Sequence, residues 1–461
     1  MSDSIAQKYL KIEELNGKIS NFFSEFQIGA LLKKCNGCKE KGISSAKLLK
    51  SKFSSVFMDR SIYMQFVTGS FPEECSKNTF YRFLNSTRTN WLRFTTLLAS
   101  AVIQKEIQPL TGEDRINAFV IDDSLFGRTG CRKTELASVV FDHCGMRYRK
   151  GYRMLTLSWT DGNTLIPVNS CLLASSKEKN IIGPVKAFDG RTVAAKRRRM
   201  AQMKGTEAMI SLLKTAMTNG ISAKYVLFDS WFSNPAQIAE LKELDLHTIA
   251  MIKKSSRIRY SFNGEALSVK QIYSRNRKRR GRSKYLLSTE VKLESGDQEI
   301  SARIVCVRNR NNRKDWLAFI CTDMELSEEE IIRIYGKRWQ IEVFFKAAKS
   351  MLRLTGECHS LSYDALTAHV AVVFTRYIFL ALEQRRNEDD RTIGELFCMI
   401  VDEMADITFA HSLSIILQAM LESVVATFHI SKEQMEVFVA DFESRLPKYI
   451  RDALKLQLKA A

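Results

Sequence analysis

Two apolar runs that each end in aspartate do most to limit what this chain can fold into. Residues 118–121 are short, apolar and β-branched, and Asp122, Asp123 and Ser124 follow directly. Such a run reads as a strand buried on both faces. Residues 224–228 repeat the pattern and close in Asp229 and Ser230. A carboxylate where a strand leaves the core is costly unless water, a cation or a hydrogen bond meets it. Further strands are expected at 154–160 and 164–173, joined by the turn residues Asp161, Gly162 and Asn163, and at 247–252. A basic helical stretch at 193–200 runs into an amphipathic helix up to residue 216, and another helix begins at Pro235. The fold class expected is α/β.

A third carboxylate, Glu342, stands on a segment that reads as one helix over 335–349. Ser327 followed by Glu328, Glu329 and Glu330 supplies a cap and an acidic first turn. At about 100° per residue, Tyr335, Arg338, Glu342 and Lys349 fall within an arc of about 60°. One carboxylate framed by two cations and a phenol suits a metal ion and a phosphate. A solvated, salt-bridged face is the plainer reading of that helix alone, with Glu342 and Lys346 as an i,i+4 pair. The joint pattern of strand-Asp, strand-Asp and helix-Glu favours the first reading. Three converging carboxylates repel one another and are stable mainly when cations bind them, and their oxygens are hard ligands suited to Mg²⁺ or Mn²⁺. Two such ions would activate an attacking hydroxyl and stabilise the leaving oxygen of a phosphodiester.

Charge points the same way. The net charge is +19 over 461 residues, which implies an anionic partner, with nucleic acid favoured over membrane. The apolar run 368–382 is interrupted by Arg376 and is too short to span a bilayer. The first residues are unlike a signal peptide, and ten scattered cysteines fit a reducing cytoplasm. Cys35 and Cys38 form the one close cysteine pair. Without a second pair at matching spacing they read as a turn around Gly37 rather than a zinc site. The six histidines are dispersed, no Ser-His-Asp or Cys-His arrangement presents itself, and there is no Walker-type loop.

The spacing Tyr335-x2-Arg338-x3-Glu342-x6-Lys349 resembles the signature of the insertion-sequence-four family of DDE transposases. Asp122-Asp123-Ser124 is similar to that family's Asp-x-Thr motif, with Ser in place of Thr, and Asp229 with Trp231 and Phe232 is similar to its second motif. The resemblance spans residues 115–355. It implies a ribonuclease-H-like core with a β-rich insertion, in which Asp122, Asp229 and Glu342 hold Mg²⁺, or Mn²⁺ as a substitute. Asp123 competes as first acid, but Asp122 has the family's spacing to the Ser. Tyr335, Arg338 and Lys349 would contact phosphates near a transposon end. The chemistry implied is metal-dependent nicking, hairpin formation and reopening, then joining to target DNA, with no ATP. A homodimer on two ends, a cytoplasmic location at the bacterial nucleoid and no membrane association follow from the same resemblance.

The expected organisation is a helical DNA-binding domain at 1–112, the first part of the core at 113–254, a basic β-rich insertion at 255–325, the helix completing the core at 326–358, and a helical region at 359–461 able to dimerise. Ser76 caps a helix whose Lys77 and Arg82 suit DNA contact, though Phe80, Phe83 and Leu84 make an ordinary amphipathic helix as good a reading. Within the insertion, 285–293 and 299–307 read as a hairpin. Residues 275–284 hold seven Lys and Arg, among them Arg279, Arg280 and Arg282, and 308–314 hold four. Phosphate contact is favoured over a merely solvated loop. Trp316 or Trp231 could stack on a flipped base, as an aromatic of this insertion does in hairpin-forming relatives; a core position is the plainer reading of either. The clearest helical spacing in the tail is at 413–421. Two alternatives stay open: a catalytically silent, transposase-derived DNA-binding regulator, and a metal-dependent nuclease that cuts branched DNA without joining it.

Overall fold

The structure, a computed structural model, describes residues 17–386 apart from 40, 58–60, 70, 72–74, 113–114, 143–144, 281–282, 297, 310–311 and 313, and also 393, 427–428 and 431–445. Residues 28–49 and 73–389 make one compact unit, and residues 1–27, 50–72 and 390–461 make another. In chain order the helices are α1 (Ile28–Lys34), α2 (Ser45–Ser54), α3 (Ile62–Val67), α4 (Lys77–Leu84), α5 (Trp91–Val102), α6 (Val193–Ala201), α7 (Gly205–Thr218), α8 (Pro235–Glu243), α9 (Val269–Arg275), α10 (Glu328–Gly336), α11 (Trp339–Ser350), α12 (Tyr363–Arg386) and α13 (Lys432–Arg445). The strands are β1 (Ala118–Gly127), β2 (Ser138–Asp142), β3 (Arg147–Thr160), β4 (Leu165–Leu173), β5 (Tyr225–Phe228), β6 (His247–Met251), β7 (Tyr260–Phe262), β8 (Glu265–Leu267), β9 (Tyr285–Ser295), β10 (Gln298–Arg308) and β11 (Trp316–Cys321).

The strands form a single sheet in the order β2-β3-β1-β5-β6-β11-β10-β9-β7-β8, with β4 also paired to β3. β1 runs antiparallel to β3 and parallel to β5, and β5 runs parallel to β6. All four residues of β5 are buried, as a strand covered on both faces requires. Helices pack on the sheet: α5 and α12 touch β4 and each other, while α11 touches β1. This mixed α/β arrangement is compatible with a ribonuclease-H-like nuclease fold. In β4, Pro167 pairs with Ser158 at a register shift, a place where a missing N–H is tolerated.

Several elements depart from the sequence expectation. β1 does not stop at its aspartates but runs four residues further, to Gly127. Asp122 therefore sits mid-strand, at the point where burial gives way to partial exposure. The segment 335–349 is two helices. Gly336 ends α10, and the amides of Arg338, Gln340 and Ile341 bond three residues back, to Tyr335, Lys337 and Arg338, before α11 is under way. Glycine's low helix propensity marks the break. The expected boundary at 112 does not coincide with the edge of a compact unit, because Trp91, Phe94 and Leu98 of α5 are buried in the same unit as the sheet. The same holds at 359, since α12 is part of that unit too.

α12 is long and apolar enough to cross a membrane, yet it is almost wholly buried within the protein. Its Arg376 is fully buried and donates to Glu357 at 2.7 Å and to the Leu352 carbonyl at 3.3 Å, so the charge is satisfied inside the fold. At the end of α1, Gly37 donates to the Leu32 carbonyl at 2.7 Å and Asn36 takes φ 57°, which makes the Cys35–Cys38 segment a helix-ending turn. In the smaller unit, Phe22, Phe26, Phe53 and Phe57 form an aromatic cluster. The stretch 413–421 lies outside the described residues.

Candidate active site

β1 presents Asp122 and Ser124 on one face, because alternate residues of a strand share a face. α11 crosses that face. Arg338, at the start of α11, donates from Nη1 to Asp122 Oδ2 at 2.7 Å and from Nη2 to Glu342 Oε1 at 2.5 Å. In the last turn of α11, Lys349 donates to Ser124 Oγ at 2.6 Å. Residues more than 200 positions apart in the chain are thus held together by one guanidinium and one ammonium. Glu342 sits in the first turn of α11, where a helix N-terminus favours negative charge. Gln340 locks that turn in place: it accepts from Thr160 Oγ1, at the end of β3, at 2.7 Å and donates to the carbonyl of Gly162, in the β3–β4 connection, at 3.2 Å.

Asp229 is the first residue after β5, the neighbour of β1, and its Oδ1 accepts the Trp231 amide at 2.8 Å. Its charge is felt by Asp122. Burial, which the shared Arg338 only partly offsets, together with the nearby Asp229, pushes the Asp122 carboxyl up to about 7. The same neighbours hold Arg338 more firmly protonated. Tyr335 lies in the same cluster, its ring 5.8 Å from the Arg338 guanidinium, and burial pushes its phenol up to about 12. The Tyr335 hydroxyl and Arg338 Nε are both buried without a hydrogen-bond partner. Such groups are uncommon inside proteins, and a bound water, ion or ligand group is one way to satisfy them.

Asp123 has a different partner. Arg153 on β3 grips it through Nε at 2.8 Å and through Nη2, and the same guanidinium lies 5.1 Å from the centre of the Trp231 ring. Lys253 sits 4.2 Å from that ring. Trp231 is 45% exposed and follows Asp229 by two residues. Trp316 is placed otherwise: it stacks on Tyr273 at 4.1 Å, with Lys254 over it.

The remaining expected contacts lie elsewhere on the fold. Arg279 pairs with Glu328 in the first turn of α10. Arg280 is exposed, and Arg282 lies outside the described residues. Lys77 and Arg82 are both exposed on α4, whose Phe80, Phe83 and Leu84 are buried. Sequence reasoning missed Arg153, Lys253 and Gln340. Arg153 is joined to Asp123 only through strand register, and Gln340 to Thr160 only through the packing of α11, so neither carries a signal along the chain.

Among the described residues no three His, Cys, Asp or Glu side chains are gathered as a ligand set, because Arg338 lies between Asp122 and Glu342. The donor chemistry nonetheless suits a divalent ion. Asp122 and Asp229 offer hard oxygens whose mutual repulsion a cation would relieve.

The sequence profile of the DDE superfamily endonucleases matches residues 68–316, more than half of the chain. The chain belongs to the DDE superfamily endonuclease family. The matched region takes in β1, β5 and both aspartates and stops before α11. No curated protein sequence matches the chain. A DDE endonuclease acts on DNA, and the superfamily usually uses divalent metal.

Proposed function

We propose that this DDE endonuclease is a transposase of the insertion-sequence-four kind, and that Asp122, Asp229 and Glu342 are its catalytic acids. The observation that carries the reading is the double ion pair of Arg338 with Asp122 and Glu342, which brings α11 onto β1 beside Asp229. The order β4-β3-β1-β5-β6, with β1 parallel to β5 and antiparallel to β3, supports a ribonuclease-H-like core. Strands β7 to β11 lie between Asp229 and Glu342 and support the reading of a β-rich insertion there.

Asp122, Asp229 and Glu342 would hold Mg²⁺ or Mn²⁺ once Arg338 turns from the acids to a phosphate. When bound, the metal supplies a Lewis acid at the scissile phosphodiester and lowers the pKa of the attacking hydroxyl. The protein's own part is positioning. Arg338 and Lys349 offer fork and point charges to phosphate oxygens. The unpartnered Tyr335 hydroxyl and Arg338 Nε are donors already stripped of water. A water oxygen bonds to phosphorus as the bond to the 3′ oxygen breaks, and that oxygen leaves with a proton as a 3′ hydroxyl. The 3′ hydroxyl then attacks a second phosphodiester in the same way, so strand joining needs no ATP.

Trp231 is the better placed of the two tryptophans to meet a base beside the acids, because Trp316 is already stacked. Arg280 and its neighbours in the basic loop, and Lys77 and Arg82 on α4, would bind DNA further out. Two ends must be processed together, so a homodimer in the synaptic complex is part of the proposal.

The test is strand transfer. The protein is incubated with Mg²⁺, a DNA carrying the terminal repeat that flanks its gene, and a supercoiled target plasmid. Joined end–target products support the transposase. Cutting without joining supports a nuclease on the same core. Binding without cutting supports a silent regulator.

A further inference from the structure

Beyond Ser124, β1 runs into an open groove of about 700 Å³ that none of the motifs predicts. Its floor is the end of β1. One wall is the outer arm of β3, with Tyr148, Arg149 and Lys150, and the other is the loop after α11, with His359. Lys349, which holds Ser124, also lines it, so groove and acids share a border. Among the described residues no acidic side chain lines the groove.

The groove is a built feature. Gly127 and Gly151 face one another across β1 and β3. Gly151 has φ 146°, and a Cβ there would lie 2.2 Å from the Phe126 carbonyl oxygen, so only glycine lets the strands meet. Past that point the arm of β3 leaves β1 and pairs with β2. The Arg128 amide donates to the Lys150 carbonyl at 3.0 Å, which fixes the arm. The Arg128 guanidinium reaches the other way, to the carbonyls of Cys358 and of Ser360, the latter at 3.0 Å, which fixes the loop. Both walls are therefore tied to one residue of the floor.

Tyr148 is 73% exposed, with the edge-on ring of Phe141 at 5.3 Å. Arg149 keeps a long contact of 3.9 Å to Asp142, and an open aromatic face beside cations is how proteins hold unpaired nucleic acid, by stacking bases and tracking the backbone. A duplex offers no base face to Tyr148. From Asp122 to Gly127 is about 17 Å along the strand, so an unpaired strand leaving the acids reaches the groove within a few nucleotides.

We propose that this groove binds single-stranded DNA, namely the strand that continues from the scissile phosphate once the duplex has opened. The inference rests on the DNA-cutting role proposed above. It is tested on the full chain in chelator, by fluorescence anisotropy, with two DNAs: a blunt duplex of the element's end, and the same duplex with a single-stranded extension of about ten nucleotides, within the span of known single-strand sites. The extension should raise wild-type affinity about tenfold. Tyr148→Ala, and Arg149→Glu with Lys150→Glu, should each abolish that gain and leave blunt-duplex binding within about twofold, while Tyr148→Phe keeps it. A uracil made photoreactive with 5-iodine in the extension should crosslink to Tyr148. No gain from the extension in wild type, or equal losses on both DNAs, would overturn the assignment. Binding of blunt DNA that ignores the extension sinks the groove alone. Failure to bind either DNA sinks the DNA-cutting reading with it.

Discussion

Arg338 and Arg198 each lie between two carboxylates, and the contrast between them separates the proposed site from a strut. Arg198, on α6, donates to both oxygens of Glu135 at 2.7 and 3.0 Å and to both oxygens of Asp364 at 3.1 and 2.8 Å. The Tyr363 amide takes a further bond to Glu135 at 3.0 Å, and Arg197 adds a second cation on Asp364. Two arginines meet two acids, and the Glu135 and Asp364 side chains are 0% and 3% exposed. Nothing is left over. Around Arg338, one guanidinium serves Asp122 and Glu342 with Asp229 beside them, and the Asp122 and Glu342 side chains are 16% and 34% exposed. Arg338 Nε and the Tyr335 hydroxyl remain unpartnered there. Surplus negative charge, unused donors and access to water are what a cation and a phosphate would require.

The largest difference should appear on deleting the two arginines. Arg198→Ala strands two buried carboxylates and should cost about 3–5 kcal/mol in chemical denaturation. Arg338→Ala should cost far less, because its partners reach water, while DNA cleavage collapses. Similar losses of stability from both substitutions would break the contrast.

A smaller effect separates the two clusters by pH. Asp122 ordinarily titrates at 3.8 and does so in the fold at about 7. Between those values the folded state holds a proton that the unfolded state has released, so the contribution of Asp122 to stability falls as pH rises through that window. Asn at the position cannot lose a proton. The melting temperature of Asp122→Asn relative to wild type should therefore climb between pH 4 and 7 and level off above. A flat difference, or one that falls, would contradict the uncompensated burial of Asp122.

The contrast also explains how much of the molecule its sequence disclosed. The strand runs ending near Asp122 and Asp229 are legible because apolar, β-branched blocks leave a local trace. The stripe of Tyr335, Arg338, Glu342 and Lys349 is legible through helical period, although the chain breaks at Gly336 and only α11's packing brings the stripe to β1. The continuation of β1 to Gly127 is decided by its partner β3, which no local pattern announces. Arg197 and Arg198 read as part of a charged helical stretch, yet Arg198 is 5% exposed, because its partners come from residues 63 and 166 positions away. Buried ion pairs of this kind are long-range by nature, and composition hides them.

The most direct test is cleavage of the element's own end DNA with Mg²⁺, with Mn²⁺ and with chelator, in wild type, Asp122→Asn, Asp229→Asn and Glu342→Gln. Metal-dependent nicking should be seen in wild type and fall by about a hundredfold or more in each variant, with DNA binding retained. Nicking that persists without metal, or in any one of the three variants, would contradict the assignment of these acids as the active site.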